Sequence, residues 1–293
     1  YRGTLIKEVQ FDKTTDELAY QLTRDEDVLG RVWALSQLAG RATTTTTAET
    51  EKQRIAAELA NALTRDKFWG VRIDAAIALA NVKDPSARTA LVAATRDPDA
   101  RVRARAVTSL ASSKDPSLAS LYEKLLSDPS YAVIKAAASA FGETKSAGAY
   151  EVLTKLLNIP SWRDNIKASA LYGLEALEDK RALDVAFRFA GKGNPPPVRA
   201  AALRLLGKIA RDDPKAFTLI AETATKAFAN RDFNLATAAG EALVSLGDPR
   251  GLGVLDQVSQ QPSLSTRLKE QLTRYQELLR KVAAGTSPST RQP

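Results

Sequence analysis

Apolar and small residues return along this chain in one fixed pattern. A small or β-branched residue, usually followed by a basic one, leads to Ala four positions on and to an Ala-Leu-like pair at seven and eight. The pattern reads Val71-Arg72 with Ala75, Ala78 and Leu79, then Val102-Arg103 with Ala106, Ser109 and Leu110. It continues as Val133-Ile134 with Ala137, Ala140 and Phe141, as Ile166-Lys167 with Ala170, Gly173 and Leu174, and as Val198-Arg199 with Ala202, Leu205 and Leu206. A looser copy is Leu235 with Ala239, Ala242 and Leu243, and a degenerate first copy is Gly30-Arg31 with Ala34, Gln37 and Leu38. The anchors at 30, 71, 102, 133, 166, 198 and 235 lie 41, 31, 31, 33, 32 and 37 residues apart. Apolar positions at 0, +4, +7, +8 and +11 mark one face of a helix of 3.6-residue period. Each anchor therefore opens a helix, and a further helical segment precedes it, as at 87–95, 118–126 and 149–157.

The punctuation agrees with two helices per unit. Asp-Pro recurs at 84–85, 97–98, 115–116, 128–129, 213–214 and 248–249. Asp accepts from the unpaired N–H groups of a first helical turn, and Pro suits the first helical position. Gly142, Gly207 and Gly247 read as left-handed helix terminators. The threonine run at 42–48 reads as a surface insertion, with Thr46 and Glu49 as a capping box for the next helix. Pro195-Pro196-Pro197 reads as an extended segment before the helix that follows. A helix pair of 31 residues cannot bury its apolar faces alone, so neighbours must stack into a continuous core. The expected fold is all-α, a right-handed α-solenoid of seven to eight helix pairs over 14–284. A strand-like or extended arm is expected over 1–13 and a disordered tail over 285–293. The final helix, over 265–283, has the polar face of a terminal cap.

Composition narrows the chemistry. The chain has no Cys and no His, which excludes disulfides, thiolate sites, histidine triads and HExxH zinc sites. It also has no Met, so the first residue, Tyr1, is not a translation start and a partial or processed chain is expected. No apolar run approaches the roughly 20 residues of a membrane span. The net charge is +8, but the last 33 residues hold six Lys/Arg against two Glu, half of the excess. The other 260 residues are only mildly basic, which weighs against nucleic acid as a partner.

The basic column Arg72, Arg103, Lys167 and Arg199 recurs once per unit. Such a column tracks phosphates or an acidic peptide, or it bonds the carbonyls and Asp caps of neighbouring units and sets the register of the stack; the second reading is preferred. Trp69, Tyr131 and Trp162 stand two or four residues before their anchors. They stack on bases in a nucleic-acid binder, or, as preferred here, pack over the preceding unit. Trp33, inside a helix, is expected in the core. Asp74, Glu123, Glu143, Glu175 and Glu241 fall at scattered phases and no pair converges by spacing alone. There is no phosphate-binding loop, dinucleotide fingerprint or nucleophile elbow. No catalytic, cofactor or metal residue is assigned.

The Asp66-Lys67-Phe68-Trp69-Gly70-Val71-Arg72-Ile73-Asp74-Ala75-Ala76 phrase resembles the HEAT-like C-terminal domain of bacterial gluzincin aminopeptidases. Leu5 to Phe11, Asp16 to Leu22 and Asp27 to Arg31 are similar to that family's passage from β-sandwich into helical domain. The later Val-Arg-Ala-Ala units resemble the phycobilisome-lyase type of HEAT repeat. The family's zinc motif, distal Glu and substrate motif have no counterpart here and would lie upstream. The resemblance implies a non-catalytic domain that covers or gates the active site of its own upstream zinc-containing region. A soluble bacterial protein is expected, cytoplasmic, periplasmic or secreted. Two alternatives stand beside it: a free-standing scaffold that binds a protein or peptide on its concave face, and a HEAT-type nucleic-acid binder or DNA glycosylase.

Overall fold

The computed structural model describes residues 13–82, 84–261 and 264–284. The expected arm, apart from Lys13, and the expected tail lie outside the described residues. Among the described residues the chain forms sixteen α-helices in eight antiparallel pairs, and no strand. Contacts divide it into two compact units, residues 1–114 and 115–293.

The first unit contains α1 (Thr15–Arg24), α2 (Val28–Thr43), α3 (Glu49–Arg65), α4 (Trp69–Leu79), α5 (Pro85–Ala94) and α6 (Ala100–Ala111). Odd helices pair with the even helices that follow, while α2, α4 and α6 pack side by side. The second unit contains α7 (Ala119–Leu125), α8 (Tyr131–Glu143), α9 (Ala149–Leu156), α10 (Asn165–Leu177) and α11 (Leu183–Ala190). It ends with α12 (Pro196–Ile209), α13 (Pro214–Ala229), α14 (Phe233–Leu246), α15 (Arg250–Ser259) and α16 (Thr266–Ala283). Here α8, α10, α12, α14 and α16 form the continuous row of second helices. Each unit is therefore an α-solenoid of stacked helix pairs.

All seven anchors lie in the first turn of a second helix. The alanine four positions on is the tightest point of the core: Ala34, Ala75, Ala106, Ala137, Ala170, Ala202 and Ala239 are all 0% exposed. A methyl group fills the gap between neighbouring helices at that position, which is why the column holds nothing larger. The partners at +8, from Leu38 to Leu243, are buried as well. Ser109 reaches the neighbouring second helix with a hydroxyl that donates to the Ala76 carbonyl at 2.8 Å.

Several local expectations change. Asp84 and Asp213 cap α5 and α13 as their Asp-Pro pairs imply. Asp97 and Asp128 instead stand before the cap residues Asp99 and Ser130, where their carboxylates accept from the Asp99 and Ser130 amides in tight Asx turns. The Thr46–Glu49 box does not form: α3 begins at Glu49, so Ala48 is the cap residue and Thr46 comes too early. A capping box forms instead at Thr14 and Glu17, and it holds the Glu17 carboxyl below its usual range. Only Pro195 is extended, because α12 starts at Pro196, where the missing proline N–H is not needed. Gly247 ends α14 at φ +73°, as expected.

Gly142 and Gly207 are not terminators; both lie inside helices. A Cβ on Gly142 would stand 2.2 Å from the Gly173 carbonyl oxygen, and one on Gly207 would stand 2.7 Å from the Ala242 backbone. These glycines are where neighbouring second helices touch backbone to backbone.

Candidate partner-binding surface

The basic column is drawn into the inter-helix loops. Arg31 grips the Asp66 carboxylate with two N–H groups, at 2.7 and 3.1 Å, and donates to the Asp25 and Glu26 carbonyls. Arg72 repeats the arrangement one unit on: two N–H groups reach the Asp97 carboxylate at 2.8 and 2.9 Å, and a third donates to the Asp66 carbonyl. Arg103 donates to the carbonyls of Asp97 and Pro98. Each Asp of this series thus gives its carboxylate to the arginine of the unit before and its carbonyl to the arginine of its own. In the second unit Lys167 pairs with Asp164 at 3.0 Å and Arg199 donates to the Ala190 carbonyl at 3.3 Å.

The aromatic residues separate. Trp69 lies under the Arg101 guanidinium, 3.5 Å from its ring centroid, and beside Phe68. Tyr131 and Trp162 meet, the Trp162 amide donating to the Tyr131 hydroxyl at 3.3 Å. Trp162 is 67% exposed, so its ring is not packed down over the unit before it. Its position in a short 3-10 turn with left-handed Arg163 and Asp164 turns it outward. Trp33 is half-buried rather than core, with the Lys13 ammonium 5.2 Å from its ring.

The side of the second helices turned away from the core carries a different assembly. Positions +2, +6, +9 and +10 from each anchor lie opposite the apolar stripe. In the second unit these positions hold Lys135, Tyr172, Glu175, Arg204, Lys208, Thr237 and Glu241, on four consecutive second helices. Arg204 is the hub: its Nε donates to Glu241 at 2.5 Å, and another of its N–H groups donates to the Tyr172 hydroxyl at 3.3 Å. The Lys135 ammonium sits 4.1 Å from the Tyr172 ring centroid. On α16, Tyr275 donates to the Thr237 carbonyl and Gln271 bonds the Thr237 hydroxyl, closing the row.

Burial sets the electrostatics of this row. The Glu175 carboxyl is pushed up to about 7, chiefly by desolvation, against the opposing pull of Arg204 and Lys208. Tyr172 is raised, and Tyr275 is raised to about 12, both by burial. Lys135 is lowered, first by desolvation and then by repulsion from Arg204, although its side chain remains open to solvent along one side. Among the described residues, neither Glu175 nor Lys135 has a hydrogen-bond or ion-pair partner, in contrast to Arg204 and Glu241. In the first unit Asp74, at +3 from its anchor, is raised by burial and opposed by Arg105.

Spacing alone showed no convergence among the carboxylates, yet Glu175 and Glu241 meet around Arg204. They are 66 residues apart, two units along, and each is brought to Arg204 by the stacking of α10, α12 and α14. The signal that would have found them is the polar side of the aligned units, which reads Tyr172, Arg204 and Glu241 at +6 and Glu175 at +9. Among the described residues, no three carboxylates gather as a metal site would require, and no helix is long and apolar enough to cross a membrane.

The paired helices and the anchor column define an all-α helical-repeat solenoid. The HEAT repeats family model matches residues 56–124 and 90–164. No curated protein sequence matches the chain. Among solved structures, the complex of CpcE and CpcF of phycocyanin lyase from Nostoc sp. PCC7120 is similar over 92% of this chain and 96% of that one, at 20% identity and a TM-score of 0.51. The Escherichia coli protein YibA is 22% identical over 96% of this chain and 97% of that one, with a TM-score of 0.50. Kap121p bound to Nup53p is 17% identical, with a TM-score of 0.57; the match takes in 97% of this chain but 35% of Kap121p.

Proposed function

We propose that this chain is a non-catalytic HEAT scaffold that binds a protein or peptide partner along the free side of the second helices in residues 115–293. The observation that carries this reading is the row from Lys135 to Glu241, in which partly buried charged side chains are held by neighbours on four helices. Glu175 and Lys135 within it keep unspent bonding capacity. Burying a charged group without a partner costs free energy, so such groups on an open face are suited to meeting a ligand. The structures of CpcE with CpcF and of Kap121p with Nup53p, both complexes with another protein, support a protein-binding use of the same fold.

The test is a pull-down from its native proteome with four forms of the full chain. A specific partner is retained by the unaltered chain, lost with Lys135→Glu and Lys208→Glu, and kept with Lys226→Glu on α13. Equal loss with the α13 control, or no loss with the row variants, refutes the reading.

The resemblance at residues 66–76 supports a narrower version, in which the partner is an upstream zinc aminopeptidase region of the same polypeptide and the solenoid gates it. Zinc would then belong to that region and not to this chain. Coding sequence upstream of Tyr1 that carries HExxH and a distal Glu ligand would support it; upstream sequence without them would end it.

A further inference from the structure

The polar row has a chemical bias that points to a class of ligand, and this inference rests on the binding role proposed above. Apart from Glu175, its hydrogen-bond acceptors are largely spent. Glu241 accepts from Arg204, and the Glu178 carboxylate at the C-terminal end of α10 lies 3.9 Å from Lys145 and 4.0 Å from Lys208. The Tyr172 oxygen accepts from Arg204. The donors are not spent. Tyr172 keeps its own O–H proton, and the Lys135 ammonium has one side against the Tyr172 ring and the rest open. Glu175, when protonated, adds a third donor beside them. A surface with surplus donors and a lone ammonium fits an anionic oxygen acceptor. The flanking carboxylates Glu178 and Glu241 oppose a long polyanion, so a short acidic segment fits better than a nucleic-acid backbone.

We infer that the row on α8, α10 and α12 receives a carboxylate from an acidic peptide segment of the partner, with Lys135 and Tyr172 holding it and the charge on Glu175 gating its entry. The groups facing Glu175 are Lys135 from α8, Arg204 and Lys208 from α12 and Glu241 from α14, with Tyr172 on its own helix. Ionised, Glu175 repels the incoming carboxylate; neutral, it donates to it. With Glu175 titrating at about 7, its neutral fraction falls about tenfold between pH 6 and pH 8, and apparent affinity for a ligand that requires that form falls by the same factor. The ligand's own carboxylates stay ionised across this range. The chain contains no histidine to confuse the profile.

The probe is fluorescein-labelled hexaglutamate, titrated by anisotropy against the full chain from pH 6 to pH 8, with hexalysine and single-stranded oligothymidine in parallel. Hexaglutamate should bind about tenfold more tightly at pH 6 than at pH 8. Glu175→Gln should bind at pH 8 as the unaltered chain does at pH 6, with no slope between. Lys135→Met should lose binding at both, and Lys226→Ala should lose none. A flat profile for the unaltered chain, a slope that persists in Glu175→Gln, or tighter binding of hexalysine or oligothymidine overturns the inference. A partner that depends on Lys135 and Lys208 yet ignores pH and Glu175→Gln would overturn this gate and leave the scaffold role standing. Partner and probe binding that no row substitution alters would remove both.

Discussion

Removing the Asp97 carboxylate tests how the helix pairs are tied together. In the folded chain the Arg72–Asp97 pair is 11% and 8% exposed, and two N–H groups meet the carboxylate at 2.8 and 2.9 Å. Asp97→Leu leaves the Arg72 guanidinium hydrogen-bonded to the Asp66 and Lys67 carbonyls without a direct carboxylate partner among the described residues. Breaking one side of a buried ion pair costs about 3–5 kcal/mol. The Asx-turn bond to Asp99 adds about 1 kcal/mol. Arg72→Met should cost slightly less, about 3 kcal/mol, because Asp97 keeps its bond from the Asp99 amide. The double substitution removes both charges together and should lose only about 1–2 kcal/mol, since apolar replacements for a buried pair are close to neutral. Urea denaturation followed by fluorescence, with hydrogen exchange on α4 to α6 to localise the change, supplies the double-mutant cycle. A coupling of at least about 2 kcal/mol is expected. Strictly additive losses would refute the claim that this pair links one unit to the next.

Gly142→Ala should cost about 1–3 kcal/mol by overpacking, because its Cβ would lie 2.2 Å from the Gly173 carbonyl oxygen and 2.9 Å from the Leu177 amide nitrogen; the change is read as a drop in melting temperature. Ala106→Phe places a ring in a site with no exposed surface and should cost a similar amount, whereas Thr108→Phe on the exposed side of the same helix should not. Glu175→Gln should stabilise the chain above pH 7, by about 1–3 kcal/mol, and do nothing near pH 4. The folded carboxyl titrates near 7 and the unfolded one near its ordinary value, so the native state binds the extra proton and native stability falls as pH rises through that window. Melting curves at pH 4, 6 and 8 check the sign; a destabilised variant at pH 8 would contradict it.

The stack was legible in the sequence because a buried column repeats with the helix itself. Ala75, Ala106 and Ala137 stand 31 residues apart and are equally buried, so spacing and packing carry the same information. Arg72 and Asp97 were separately visible, but their union depends on a loop geometry that the Asp-Pro pairs share with simple caps. Gly142 was misread because a glycine that ends a helix and one that admits a neighbouring backbone look alike along a chain. The row around Arg204 was missed for a different reason. Tyr172 and Glu175 belong to one unit, Arg204 to the next and Glu241 to a third, and only the aligned columns on the polar side bring them together. Local patterns could not have revealed Glu175, whose character comes from burial among side chains drawn from three other helices.

The glycine contacts between second helices carry one more consequence. At Gly142 and Gly173 the separation of α8 from α10 is set by main-chain atoms in touch, and at Gly207 that of α12 from α14 is set the same way. Those separations also fix how far Lys135 stands from Tyr172 and Arg204 from Glu241. The protruding residues can change their charges without disturbing the scaffold, while the distances between them are dictated by residues that no ligand touches. Selection for a new partner can therefore rewrite the chemistry of the surface freely but inherits its ruler, and a variant with altered spacing must begin at a hidden glycine.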